Sequence, residues 1–175
     1  MNIVRGAITG DYETSGIPAE ADVVMGHSFG TNTSMYGVNR QIAEHAIFQA
    51  QDRLQIIVDE TLAEAFPAWG REPDVITGGP ISTTLGGGTG TWGSLLQARD
   101  FMNQQGYEQP LMVAQAFHVG RVALQARKLG MKPILPPDLP KQFDADSAQL
   151  WTRSRRLWIP REMAGLAYLK LKGQI

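Results

Sequence analysis

The residues able to do chemistry gather in short polar segments. In Ala116-Phe-His118-Val-Gly-Arg121, a histidine and an arginine stand three residues apart, so on a helix they share one face. Arginine can grip a phosphate or carboxylate with two parallel hydrogen bonds. A neutral imidazole can take a proton, and an imidazolium adds charge. A helix start at this point brings free amides and the positive dipole end, worth about 0.3–1 kcal/mol to an anion. The alternative is a capping histidine beside a surface arginine. A second segment, Gly26-His27-Ser28-Phe-Gly30, comes after a short apolar run. Glycine there lets a ligand approach the backbone, and His27 can face the same pocket as His118. Its alternative is a tight turn with an exposed histidine. Gly78 and Gly79 close another apolar run, and Thr91 and Ser94 can offer hydroxyls where the next helix begins.

Other groupings are weaker. Gly88, Gly90 and Gly93 spell a literal G-x-G-x-x-G, but the dinucleotide fingerprint must come directly after the first strand and needs an acid ending the next. The stretch has no Gly-Lys-Ser/Thr at its end, so it is not a phosphate-binding P-loop either; it reads as a glycine-rich lid or loop. A Ser-His-Asp triad would need His118, Ser28 or Ser94, and an acid such as Asp22, without the G-x-S-x-G elbow. His45 falls inside a helical stripe as a packing or surface residue. Trp151, Trp158 and Tyr168, at helical spacings, read as core.

These residues need a scaffold. Apolar runs ending in glycine or turn residues predict strands at 21–26, 74–79, 110–116 and 131–135. Between the first two, Ile42, Ala46, Ala50, Leu54, Ile57, Thr61 and Ala65 recur at steps of three or four up to Pro67. The reading is two helices with a break near Asp52, and Leu54–Val58 is taken as helix rather than strand. Helices are expected at 92–105, 118–129, 146–157 and 160–172, with Gly106 and Gly130 as stops and Pro160 at a first helical position. Residues 1–20 read as a surface lead-in to one α/β domain spanning 1–175. Strands alternating with helices predict a Rossmann-like three-layer domain with a mainly parallel sheet of four or five strands. Ligands in such sheets bind beyond the carboxyl ends of the strands, where the polar segments fall.

Composition narrows the chemistry. The 175 residues are 43% hydrophobic and 19% charged, with a net charge of −1. That balance gives no reason to expect nucleic-acid binding. There is no cysteine, which removes disulfides and thiolate nucleophiles; three scattered histidines make a structural zinc site a poor fit. No run approaches the ~18–20 apolar residues of a membrane span, and no signal peptide is seen at Met1–Gly10, so the expected location is cytoplasmic.

Several pieces together resemble the YdcF/SanA/ElyC-like family of bacterial domains of unknown function. They are the strand Asp22–Gly26, the strand ending Thr77-Gly78-Gly79, Thr91 opening a helix, the strand running into His118-x-x-Arg121, the segment Gly130–Leu135, and Arg161-Glu162 before the last helix. The family's Thr-x-Glu-Asn reads Thr91-Trp-Gly-Ser94 here, and its Met-Pro between His and Arg is Val119-Gly120. The resemblance implies a Rossmann-like fold with a pocket at the strand ends. One member binds S-adenosylmethionine; others are membrane-tethered and linked to envelope or polyprenyl-phosphate metabolism. The residues and the resemblance together leave three readings. One is an enzyme acting on a small phosphorylated or nucleotide-like anion, with His118 handling a proton. In that reading Gly26, His27, Ser28, Gly78, Gly79, Thr91, Ser94 and Arg121 hold the ligand. The second is a binding module for S-adenosylmethionine or a nucleotide. The third is a partner-binding protein with a decayed pocket.

Overall fold

A computed structural model describes residues 20–30, 36–78, 90–145, 147 and 149–175. Four strands form one all-parallel sheet: β1 (Val23–Gly26), β2 (Ile56–Asp59), β3 (Val75–Thr77) and β4 (Pro110–Val113). Their order is β3-β2-β1-β4, with Val24 paired to both Ile56 and Leu111. The chain steps outward from β1 to β3, then returns to the other side of β1 for β4. Such a reversal leaves a crevice at the carboxyl ends of the central strands. Helices flank the sheet: α1 (Tyr36–Ala50), α2 (Glu60–Ala63), α3 (Gly90–Gln105), α4 (Ala116–Lys128) and α5 (Arg155–Leu171). This is the Rossmann-like three-layer α/β fold that the alternation of elements predicts.

The stripes bury as their spacing requires. Ile42, Ala46 and Ala50 of α1, Leu95, Ala98 and Met102 of α3, and Val119, Val122, Ala123 and Ala126 of α4 join one core with the strands. Gly130 closes α4 at a φ of 88°, a conformation that costs glycine little. Gly26 has a different constraint. A Cβ there would stand 2.7 Å from Leu62 Cδ2 and 3.1 Å from Val58 Cγ1, so its missing side chain lets β1 pack against β2 and α2.

Several expectations are corrected. The break near Asp52 is present, with Gln51 and Asp52 in the left-handed region. Beyond it the chain does not resume a helix: Ile56–Asp59 is a fully buried central strand. The three β-branched residues Ile56, Ile57 and Val58 fit a pleated surface, and pairing on both edges outweighs the helical spacing. Asp74 secures its start by accepting the Ile56 amide at 2.8 Å. Strand β4 stops at Val113 because Gln115 caps α4, its side chain accepting the Phe117 amide. The strand expected at 131–135 shrinks to one bridge, Leu111 with Ile134; Pro133 and Pro136 cannot donate to a ladder. Of the helix expected at 146–157, the described residues form a 3-10 turn, Leu150–Thr152, and the first residues of α5, so Pro160 lies inside α5, not at its first position; Asp146 and Ala148 lie outside the described residues. Pro160 is exposed there. Of the lead-in only Glu20 is described, and Gly79 and Gly86–Thr89 also lie outside the described residues.

Gly26→Ala is expected to lower stability by about 1–3 kcal/mol, because the new methyl group overpacks a core in which Leu62 is fully buried. A thermal melt checks this, with a drop of roughly 2–12 °C expected for a chain of this size; an unchanged melting temperature would contradict the close approach.

Candidate active site

Each strand delivers its polar residue at the same edge of the sheet. His27 and Ser28 come directly after β1, Asp59 ends β2, Thr77 ends β3, and His118 and Arg121 lie in the first two turns of the helix after β4. They line one cavity of about 660 Å³, closed on another side by Trp151, Trp158, Arg161 and Tyr168.

Asp59 organises the first half. Its Oδ2 accepts the Ser28 amide at 2.6 Å and stands 2.7 Å from His27 Nδ1, while Oδ1 accepts the Leu62 amide at 2.9 Å and so caps α2. Burial by itself would raise the pKa of this carboxyl. The facing His27 and the bonds from His27, Ser28 and Leu62 outweigh burial and hold it below the ordinary carboxylate value. An ionised carboxylate only accepts, so Nδ1 of His27 carries a proton and donates it to Asp59. In that tautomer the lone pair falls on Nε2, which is buried and has no hydrogen-bond partner among the described residues.

The second half has the opposite polarity. Arg121 Nη2 lies 3.0 Å from His118 Nδ1, and Arg121 Nε donates to Glu162 Oε1 at 2.9 Å. A guanidinium can only donate, so His118 Nδ1 accepts and its proton sits on Nε2. Burial, with Arg121, His27 and Arg161 nearby, pulls the His118 pKa well below the ordinary histidine value. The ring is therefore neutral at pH 7. It packs 6.2 Å from the His27 ring and 5.7 Å from the Trp158 ring, edge-on to both. Glu162 is fully buried; burial raises its pKa despite the pull of Arg121 and Arg161. Arg161 stacks over both Trp151 and Trp158, at 5.2 and 5.5 Å from the ring centroids. The result is one histidine with a proton-accepting nitrogen and one with a proton-donating nitrogen, beside two guanidinium groups.

The structure sorts the expected residues. His27, Ser28, Gly78, Thr91, Ser94, His118 and Arg121 line the cavity together. Gly26 does not line it, and its role is the packing described above. Gly79 lies outside the described residues. Ser94 is buried and takes part in a 2.6 Å hydroxyl contact with Thr77, whose own hydroxyl donates to the Val58 carbonyl, so this pair pins α3 to the sheet. The Gly78 amide donates to Gln97. Neither alternative of an exposed His27 or a surface Arg121 holds, since both side chains are largely buried. Asp22 cannot serve a triad here: it accepts the Glu108 and Gln109 amides at the amino ends of β1 and β4, the far edge of the sheet. Trp158 is core as expected, whereas Trp151 and Tyr168 are exposed and line the cavity. Arg161-Glu162 lies inside the last helix, not before it.

Sequence reasoning misses Asp59 because its segment has helical spacing. The signal is present in Ile56-Ile-Val-Asp59, a β-branched run ending in an acid. Among the described residues, no group of three or more His, Asp or Glu side chains could hold a metal ion. Comparison of the chain with protein-family models, curated proteins and solved structures returns no match.

The lowered His118 pKa has a definite sign. An unfolded histidine takes up a proton near pH 6.5, whereas the native ring does so only at lower pH, so its contribution is complete above about 6.5 and is lost as pH falls. The Asp59 contribution has the same sign but acts below the ordinary carboxylate value. The raised Glu162 has the opposite sign, so a comparison isolates the histidine. Between pH 7 and pH 5 the wild-type melting temperature should fall more steeply than that of His118→Gln. Parallel curves would mean that His118 titrates normally in the fold.

Proposed function

We propose that the chain is an enzyme acting on a small phosphorylated, nucleotide-sized ligand, with His27 as general base. The observation that carries this reading is the Asp59–His27 pair, 2.7 Å apart, with His27 Nε2 buried and unpartnered among the described residues, on a residue that lines the cavity with His118, Arg121 and Arg161. A carboxylate on Nδ1 holds the imidazole in the tautomer that a base needs and stabilises the imidazolium it becomes.

In this reading, Nε2 of His27 takes a proton from a water as its oxygen attacks phosphorus. The bond from phosphorus to the ester oxygen breaks, its electron pair leaves with that oxygen, and the departing group takes a proton from the imidazolium. His118 donates a hydrogen bond from Nε2 to a phosphoryl oxygen, and Arg161 and Arg121 balance the negative charge. The proton-handling role expected of His118 thus passes to His27, with His118 stabilising charge. Kinship with the YdcF-like domains belongs to the same proposal. It is supported by the Arg121–Glu162 ion pair, which joins two of the segments that carry the resemblance.

Turnover of a panel of nucleoside phosphates, sugar phosphates and p-nitrophenyl phosphate tests the reading, with binding of each measured separately by calorimetry. His27→Gln should lower kcat by about 10²–10⁴-fold, the usual worth of a general base, with binding largely retained. Asp59→Asn should lower kcat over a similar range, because an amide can donate to Nδ1 and favours the wrong tautomer. Turnover that survives His27→Gln would remove the base assignment. Saturable binding of S-adenosylmethionine or a nucleotide without product would replace the enzyme by a binding module.

A further inference from the structure

Helix α5 turns an apolar face away from the protein. Its inward stripe is Trp158, Glu162 and Leu169, all buried. At 3.6 residues per turn, the opposite side carries Leu157, Pro160, Met163, Ala164, Ala167, Tyr168 and Leu171, every one exposed. Leu157, Tyr168 and Leu171 are 49%, 58% and 88% exposed, and Leu150, just before the helix, 59%. An ordinary surface helix is polar on that side. The exposed polar side chains that accompany it are cations: Lys170 along one margin, Arg161 and Lys172 along the other, and Arg156 in the first turn.

Charge is divided in the same way along the chain. Residues 150–175 hold six Lys and Arg against one acid, Glu162, a net +5, whereas the whole chain has −1, so residues 1–149 hold −6. The one acid is buried and bonded to Arg121. The outer face of α5 is thus apolar along its centre and positive along its edges.

We propose that this face docks on an anionic lipid bilayer, with α5 lying in the headgroup plane. Apolar side chains along the centre bury in the acyl boundary while flanking Lys and Arg meet the anionic headgroups. Trp151 and Tyr168 stand where amphipathic rings favour the interface. The charge distribution disfavours the other occupants. Two copies meeting through α5 would set the Lys and Arg of one against those of the other, and a nucleic acid gains nothing from an apolar stripe. Docking is peripheral, since no helix among the described residues is long and apolar enough to cross a membrane. Trp151, Arg161 and Tyr168 belong to this edge and also line the cavity, so docking sets the cavity mouth beside the headgroups. The proposal is independent of the reaction assigned to the cavity.

The test is sedimentation of the full chain with vesicles of phosphatidylcholine alone or mixed with phosphatidylglycerol, alongside size-exclusion chromatography without lipid. Binding to the mixed vesicles only, weakened by salt, is expected. Arg156→Gln with Lys170→Gln should lower partitioning about thirtyfold, taking roughly fivefold per cation. Leu157→Gln with Leu171→Gln should lower it at least tenfold. These side chains are exposed, so circular dichroism and melting of the variants should match the wild type. No sedimentation with anionic vesicles overturns the proposal, as does equal binding to neutral vesicles. A dimer that the leucine variants dissociate, without vesicle binding, would assign the face to a second copy instead.

Discussion

The cavity edge depends on one buried carboxylate. Asp59 accepts from the Ser28 amide, the Leu62 amide and His27 Nδ1. Burying an unpaired charge costs several kcal/mol, and these bonds offset that cost at a single point. They also fix three different things: the turn after β1, the start of α2 and the tautomer of His27. An aspartate one residue earlier or later in β2 would alternate to the other face of the sheet, and all three would be lost together.

A second buried charge pair fixes the opposite wall. Arg121 reaches from α4 to Glu162 in the middle of α5, and the same guanidinium sets the proton of His118. Removing one partner of such a pair leaves a buried charge alone, at a typical cost of about 3–5 kcal/mol. The pair therefore ties the last helix to the cavity edge and specifies which nitrogen of His118 donates. The two histidines acquire complementary roles because their Nδ1 partners differ. A carboxylate holds His27 from one side and a guanidinium holds His118 from the other.

Helix α5 shows why a stripe of apolar spacing is ambiguous. Trp151, Trp158 and Tyr168 read alike in sequence, yet only Trp158 is buried, and its indole donates to the Phe117 carbonyl. The helix places apolar residues on both its buried and its exposed side, so periodicity locates a helix without saying which face the core receives.

The sequence by itself determined the alternation of strands and helices, the parallel sheet, the buried stripes of α1, α3 and α4, and the gathering of His27, His118 and Arg121 at the carboxyl ends of strands. Those features obey short-range rules, because spacing, glycine stops and β-branched runs act over a few residues. Tertiary structure alone decided the rest. Ile56–Asp59 became a strand because β1 and β3 pair with it on both edges, interactions that no window around Leu54 contains. Asp59 reached His27 across 32 positions, and Glu162 reached Arg121 across 41. Partners so distant in sequence meet only through sheet order and helix packing. The resemblance marked Glu162 as a residue but not its bond. The proton positions on the two imidazoles are set by those partners, and so only the folded chain defines them.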